Sequence, residues 1–104
     1  MLSVVIPVYN EVRTISNIVE QVEAVQLTFE KEIIVVDDHS TDGTRELLEQ
    51  LESEGRRHVR IVYHDGNQGK GAAISSGFAQ AAGDIIIIQD ADLEYDPPGI
   101  SQTA

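Results

Sequence analysis

Asp90 and Asp92, separated only by the small Ala91, are the residues of this chain whose type and spacing point most directly to chemistry. Alternate residues of an extended backbone point the same way, so the spacing predicts two carboxylates side by side. Like charges held where water is scarce repel, and a bridging cation relieves them. Hard oxygen ligands favour Mg2+ or Mn2+ over zinc or copper. A second acidic pair, Asp37-Asp38, follows another apolar run, where adjacent carboxylates are costly unless compensated; contact with ligand hydroxyls or a base edge is the favoured reading for both. Ser40, Thr41 and Asp42 read instead as turn and cap residues. Residues 66–71, Gly-Asn-Gln-Gly-Lys-Gly, invite comparison with a phosphate-binding loop but fail on spacing, since two residues rather than four separate the first glycines and Gly71, not a hydroxyl residue, follows Lys70. Lys70 stays a candidate for offsetting phosphate charge. His39, His58 and His64 show no metal-ligand spacing and are expected at the surface.

Four apolar runs must position these groups. Residues 2–8 read as a first buried strand with Pro7 near its end, and residues 33–36 as a second, running into Asp37-Asp38. Residues 59–63 alternate more and are expected nearer an edge. The unbroken Ile85-Ile86-Ile87-Ile88 reads as a strand buried on both faces. Between them, Val12, Ile15, Ile18, Val19, Val22 and Val25 predict a helix over residues 11–25 capped by Asn10. Leu47, Leu48 and Leu51 predict a second helix stopped by Gly55. A third spans residues 72–82 and ends at Gly83, with Ala73, Gly77 and Ala81 forming a bare face that can lie close on a sheet. This βαβαβαβ succession predicts an α/β, Rossmann-like parallel sheet in the order 3-2-1-4, with helices on both faces. The loop at Tyr9-Asn10-Glu11, the pair at 37–38 and the pair at 90 and 92 then share one crevice at the carboxyl ends of the strands.

Composition narrows the class. With 104 residues the chain is one domain at most. It has no cysteine, so disulfides and thiolate metal sites are excluded. Seven Lys plus Arg against eighteen Asp plus Glu leave a net charge of -11, which argues against binding nucleic acid or an anionic membrane through a basic surface. No apolar run approaches a transmembrane length and Met1-Leu2-Ser3-Val4 lacks a basic signal-peptide head, so a soluble, cytoplasmic location is expected.

Four motifs together resemble a family. Pro7-Val8-Tyr9-Asn10-Glu11, the segment 36–44 (Val-Asp-Asp-His-Ser-Thr-Asp-Gly-Thr), the segment 67–73 (Asn-Gln-Gly-Lys-Gly-Ala-Ala) and the segment 89–97 (Gln-Asp-Ala-Asp-Leu-Glu-Tyr-Asp-Pro) resemble, in order and spacing, the nucleotide-sugar half of family 2 glycosyltransferases of the GT-A fold. The branch most similar is that of dolichyl-phosphate mannosyltransferases and polyprenyl-phosphate glycosyltransferases. The resemblance implies inverting transfer from a UDP- or GDP-linked sugar to an acceptor, often a lipid-linked phosphate, at the inner face of the membrane in a full-length parent. It implies that Pro7, Tyr9, Glu11, Val36 and Asp38 contact the nucleotide, that Asp90 and Asp92, as the DXD-type pair, hold Mg2+ or Mn2+ against the diphosphate, and that Ala91 packs at the sugar nucleotide. Asn10, Asp37 and Lys70 stand beside them as further candidates. Members of the family continue through an acceptor-binding half, so residues 1–104 are expected to be its truncated donor half. The general base is expected outside it, Glu94 and Asp96 being as well suited to fixing the local turn. An unpaired edge at the fourth strand would favour a homo-oligomer. Two other classes compete: a non-catalytic module for dimerisation or partner binding, and a response-regulator-like phosphoacceptor. The second wants an acidic pair after strand 1, where Tyr9-Asn10-Glu11 stands.

Overall fold

The computed structural model describes residues 1–25, 30–56 and 58–91. Its elements run β1 (Leu2–Val8), α1 (Ile15–Ala24), β2 (Lys31–Asp37), α2 (Thr44–Ser53), β3 (Val59–Tyr63), α3 (Lys70–Gln80) and β4 (Ile85–Ile88). The strands form one parallel sheet in the order β3-β2-β1-β4, as the connection rules predict.

The two faces divide by the parity of the strand residues. Val4, Ile6 and Val8 of β1 and Ile33 and Val35 of β2 pack with Ile15, Ile18 and Val19 of α1 and Leu48 and Leu51 of α2. Ile34 and Val36 face the other way, against Ala73 of α3. Gly77, the next small residue on that helix, lies against Val5 so closely that a Cβ there would sit 2.4 Å from Val5 Cγ1. The bare stripe read from the sequence therefore does bring α3 down onto β1 and β2.

Three expectations are corrected. The isoleucines of β4 are not buried on both faces: Ile85, Ile87 and Ile88 are 56%, 45% and 45% exposed. An apolar run records what a strand needs covered, but β4 lies at the lateral edge, and the helices sit over β1, β2 and β3. Asn10 does not cap α1, which begins four residues later than its first expected residue; the Glu11 carbonyl first accepts from the amides of Thr14 and Ile15 in a tight turn. Asn10 instead adopts a left-handed φ of 55° and accepts from the Thr41 amide at 2.8 Å, tying the loop after β1 to the loop after β2. His64 is buried rather than on the surface, for reasons that belong to the site.

At the amino ends of the strands, Glu32 fastens the turn between α3 and β4. Its carboxylate accepts from Ser3 Oγ at 2.6 Å, the Ala82 amide at 2.7 Å and Arg60 at 2.8 Å. Burial is the largest single influence on Glu32 and would raise its pKa, but these donors together outweigh it and hold the carboxyl below its ordinary value. A carboxyl depressed in the folded state contributes stability that is complete above its unfolded pKa and is lost as pH falls through the folded one. Glu32→Gln is therefore expected to cost about 1–2 kcal/mol near neutral pH, with the difference from the unsubstituted protein shrinking as pH falls below about 4. Urea melts across that range measure it, and a difference that does not depend on pH would refute it.

Candidate nucleotide-sugar site

Pro7 decides where the sheet opens. Odd residues of β1 direct their backbone groups toward β4: the Val5 carbonyl accepts from the Gln89 amide at 2.9 Å, and the register ends at Val5 and Ile88. The next such position is a proline, which has no N–H with which to continue the ladder. Beyond it the two chains part, and a pocket of about 540 Å³ lies between Pro7, Val8, Tyr9 and Glu11 on one side and Asp90 and Ala91 on the other. Its remaining wall comes from Asp38 and from Asn67, Gly69, Lys70 and Ala73 at the start of α3. Thr14 Oγ1 donates to the Ala91 carbonyl at 2.6 Å, holding the segment after β4 to the turn before α1.

Asp37 and Asp38 divide by parity as well. Asp37 continues the Ile33 and Val35 side, is fully buried, and directs its carboxylate to Ser40, accepting from both its hydroxyl and, at 3.2 Å, its amide. It is a turn residue and does not line the pocket. Asp38 continues the Ile34 and Val36 side. Its Oδ1 accepts from the Gln68 amide at 2.9 Å and lies 2.8 Å from His64 Nδ1, and its Oδ2 accepts from the Gly69 amide at 2.8 Å. The glycine-rich loop thus cradles the protein's own carboxylate, with Gly69 at a φ of 99° that few other residues adopt. Burial, the largest influence, would raise the Asp38 pKa, but the Gln68 amide, His64 and the Gly69 amide win, and it stays below the ordinary carboxylate range. His64 Nε2 in turn lies 2.8 Å from Ser76 Oγ on α3. Sequence reasoning missed this because an isolated histidine carries no periodic signal; the only hint is that residue 64 follows β3 where residue 38 follows β2.

Across the pocket, Lys70 Nζ lies 2.7 Å from Asp90 Oδ1. Both side chains are more than half exposed, so this ion pair contributes little to stability and can exchange partners freely. Of the residues singled out from the sequence, Pro7, Tyr9, Glu11, Asp38, Lys70, Asp90 and Ala91 meet here. Val36 is fully buried in the core beneath it, and neither it, Asn10 nor Asp37 borders the cavity. Asp92, like Glu94 and Asp96, lies outside the described residues. Among those described, no three acidic or histidine side chains form a metal cage. Asp90 nonetheless offers a hard, solvent-accessible carboxylate whose present partner is a cation, which suits an ion that takes one or two protein carboxylates and fills its other positions with phosphate and water.

Comparison with known proteins agrees with this geometry. The chain is 43% identical over 101 residues, 95% of its length, to an undecaprenyl-phosphate 4-deoxy-4-formamido-L-arabinose transferase of Pseudomonas fluorescens, and equally to one of Yersinia enterocolitica. It spans only 30% and 31% of those relatives. Among solved structures, a mannosyltransferase from Pyrobaculum calidifontis in complex with GDP-Man and Mn2+ superposes with a TM-score of 0.76 at 27% identity, over 88% of this chain and 27% of that one. TarS of S. aureus in complex with UDP-GlcNAc gives 0.73 at 27% identity, over 88% and 26%. The fold shared with these structures is the GT-A transferase fold. The family model described as "Glycosyl transferase family 2" matches residues 3–103, almost the whole chain, and the chain belongs to that family.

Proposed function

We propose that residues 1–104 form the donor half of an inverting glycosyltransferase, binding a UDP- or GDP-linked sugar for transfer to a polyprenyl-phosphate-type acceptor on the cytoplasmic face of a membrane. The observation that carries this is the meeting, in one pocket at the carboxyl ends of β1, β2 and β4, of a fixed carboxylate, an exposed lysine and an exposed aspartate. Relatives named as undecaprenyl-phosphate transferases, and similar structures holding GDP-Man with Mn2+ or UDP-GlcNAc, support the same reading.

Each group has a distinct task. Asp38, already rigid, presents an acceptor at the pocket wall, while Tyr9 and Pro7 supply apolar surface on the opposite side. Lys70 stands at the amino end of α3, where its charge and the helix dipole both favour the donor's diphosphate. Asp90, together with Asp92, would hold Mg2+ or Mn2+, which when bound supplies a Lewis acid for the charge that develops on the departing diphosphate. Lys70, paired with Asp90 in the free protein, would serve as the cation for a donor phosphate oxygen, and Asp90 would then be available as a carboxylate ligand. No described residue is assigned as the base that deprotonates the acceptor. No described helix is long and apolar enough to cross a membrane.

Calorimetry with UDP- and GDP-sugars, with and without Mn2+, tests the reading. Metal-dependent binding is expected, and Asp90→Ala should remove about tenfold or more of the affinity measured with Mn2+ while changing the metal-free value little. Absence of binding by the unsubstituted chain at millimolar ligand would overturn it.

A further inference from the structure

Ser76, His64 and Asp38 form a hydrogen-bonded chain that crosses from α3 to the end of β2, with both links at 2.8 Å. We infer that His64, anchored by Ser76, is a positioning residue that fixes the Asp38 carboxylate at the wall of the donor pocket. The inference rests on the donor-site reading above.

The order of the three groups is that of a serine hydrolase, but the surroundings assign a different task. Ser76 does not border the pocket, and its hydroxyl is turned into the imidazole. The member of the chain that does reach the pocket is the carboxylate. Asp38 is an acceptor on both oxygens, so His64 must carry its proton on Nδ1. In the tautomer with a single proton on Nδ1, Nε2 would accept from the Ser76 hydroxyl, which lies 2.8 Å from it. Each link thereby sets the next: Ser76 holds the ring plane, the ring holds Oδ1, and the Gln68 and Gly69 amides complete the grip.

The backbone amides alone cannot perform this task. They belong to the loop that opens α3, so they hold Asp38 only as firmly as that loop is itself held. His64 is 7% exposed and its own amide donates to the Asp37 carbonyl at 2.9 Å, so the ring is carried by the sheet. The chain through His64 and Ser76 therefore ties sheet, helix and loop to one carboxylate. Loss of the ring would free Asp38 to rotate and loosen the amide cradle, and its re-ordering would be charged against ligand binding.

Two substitutions separate positioning from mere filling of space. His64→Asn keeps an N–H near the place of Nδ1, whereas His64→Leu removes it. With Mn2+ present, His64→Asn is expected to bind UDP or GDP within about threefold of the unsubstituted chain, and His64→Leu about tenfold or more weaker. Amide exchange at Gln68 and Gly69 should quicken in His64→Leu by a similar factor and stay near normal in His64→Asn. Long-range nitrogen NMR of the unsubstituted chain should show a proton on His64 Nδ1. If His64→Leu does not fold, Ser76→Ala takes its place, with at least about threefold weaker binding expected. Protonation on Nε2 alone, unchanged binding and amide protection in His64→Leu or in the Ser76→Ala that replaces it, or equal losses in the asparagine and leucine variants would each overturn the inference. Should the unsubstituted chain bind neither nucleotide, the donor-site reading falls, while the tautomer and the amide protection still decide the role of His64.

Discussion

Asp38→Asn is expected to lower both stability and nucleotide affinity. The carboxylate faces three N–H donors, two on Oδ1 and one on Oδ2. Asparagine has one oxygen. Directed at His64 and Gln68, it turns its own NH2 against the Gly69 amide; flipped, it leaves two donors unanswered. Each buried polar group without a partner costs about 1–3 kcal/mol, and the remaining bonds lose their charge. A loss of about 2–4 kcal/mol follows, read from the urea midpoint at constant m-value. Because Asp38 and Gly69 belong both to the cradle and to the pocket wall, UDP or GDP binding in the presence of Mn2+ should weaken by about tenfold or more even under conditions where the variant is fully folded. A midpoint within experimental error of the unsubstituted chain would show that the cradle does not depend on the charge.

Gly77→Ala is the second large effect, and two opposing terms decide it. In an exposed helix the change would stabilise by about 1 kcal/mol. Here the new Cβ would lie 2.4 Å from Val5 Cγ1 and 3.2 Å from Cγ2. Val5 is fully buried on a central strand paired on both sides with β2 and β4, so it has nowhere to retreat. Overpacking costs about 1–3 kcal/mol and occasionally more; a 2.4 Å approach puts this site at the upper end, so after the helix gain a net loss near 2 kcal/mol is expected. Relief by lifting α3 would carry Gly69 and Lys70 out of the pocket wall, and nucleotide affinity should fall with stability. Gly71→Ala, on the same helix, meets nothing within 4 Å. It is expected to be neutral or stabilising by up to about 1 kcal/mol. Thermal melts of the pair check the contrast, and equal midpoints would contradict the close packing of α3 on β1.

Much of this was legible in the chain itself because it depends on short-range rules. Apolar runs and small-residue spacing are local, and right-handed crossovers leave few ways to order four parallel strands, so the sheet order and the bare face of α3 followed directly. The rim also followed: Tyr9, Asp38 and Asp90 had to meet once that order was fixed. The alternation also puts Asp37 and Asp38 on opposite faces, though it does not tell which face carries the pocket. Carried past the end of β2, it places Asp37 with Ile33 and Val35, and Asp38 with Ile34 and Val36.

Other features were not legible, for reasons that are equally physical. His64 sits between Tyr63 and Asp65 with no pattern around it, and its burial depends on a carboxylate 26 residues away and a hydroxyl 12 residues away. The glycine-rich loop invites comparison with a phosphate cradle but fails on spacing, and nothing local says that its amides hold Asp38 instead. The isoleucines of β4 have the composition of an interior strand, yet exposure is set by which elements lie alongside.

By itself the sequence determined the element order, the parallel sheet and the side of it on which acidic residues collect, since these follow from periodicity, chirality and chain connection. Only the tertiary structure decided which of two adjacent aspartates reaches the pocket, what the glycine loop holds and that a buried histidine joins sheet to helix. Those outcomes turn on donors and acceptors that are distant along the chain, and their pairing exists only once the layers have packed.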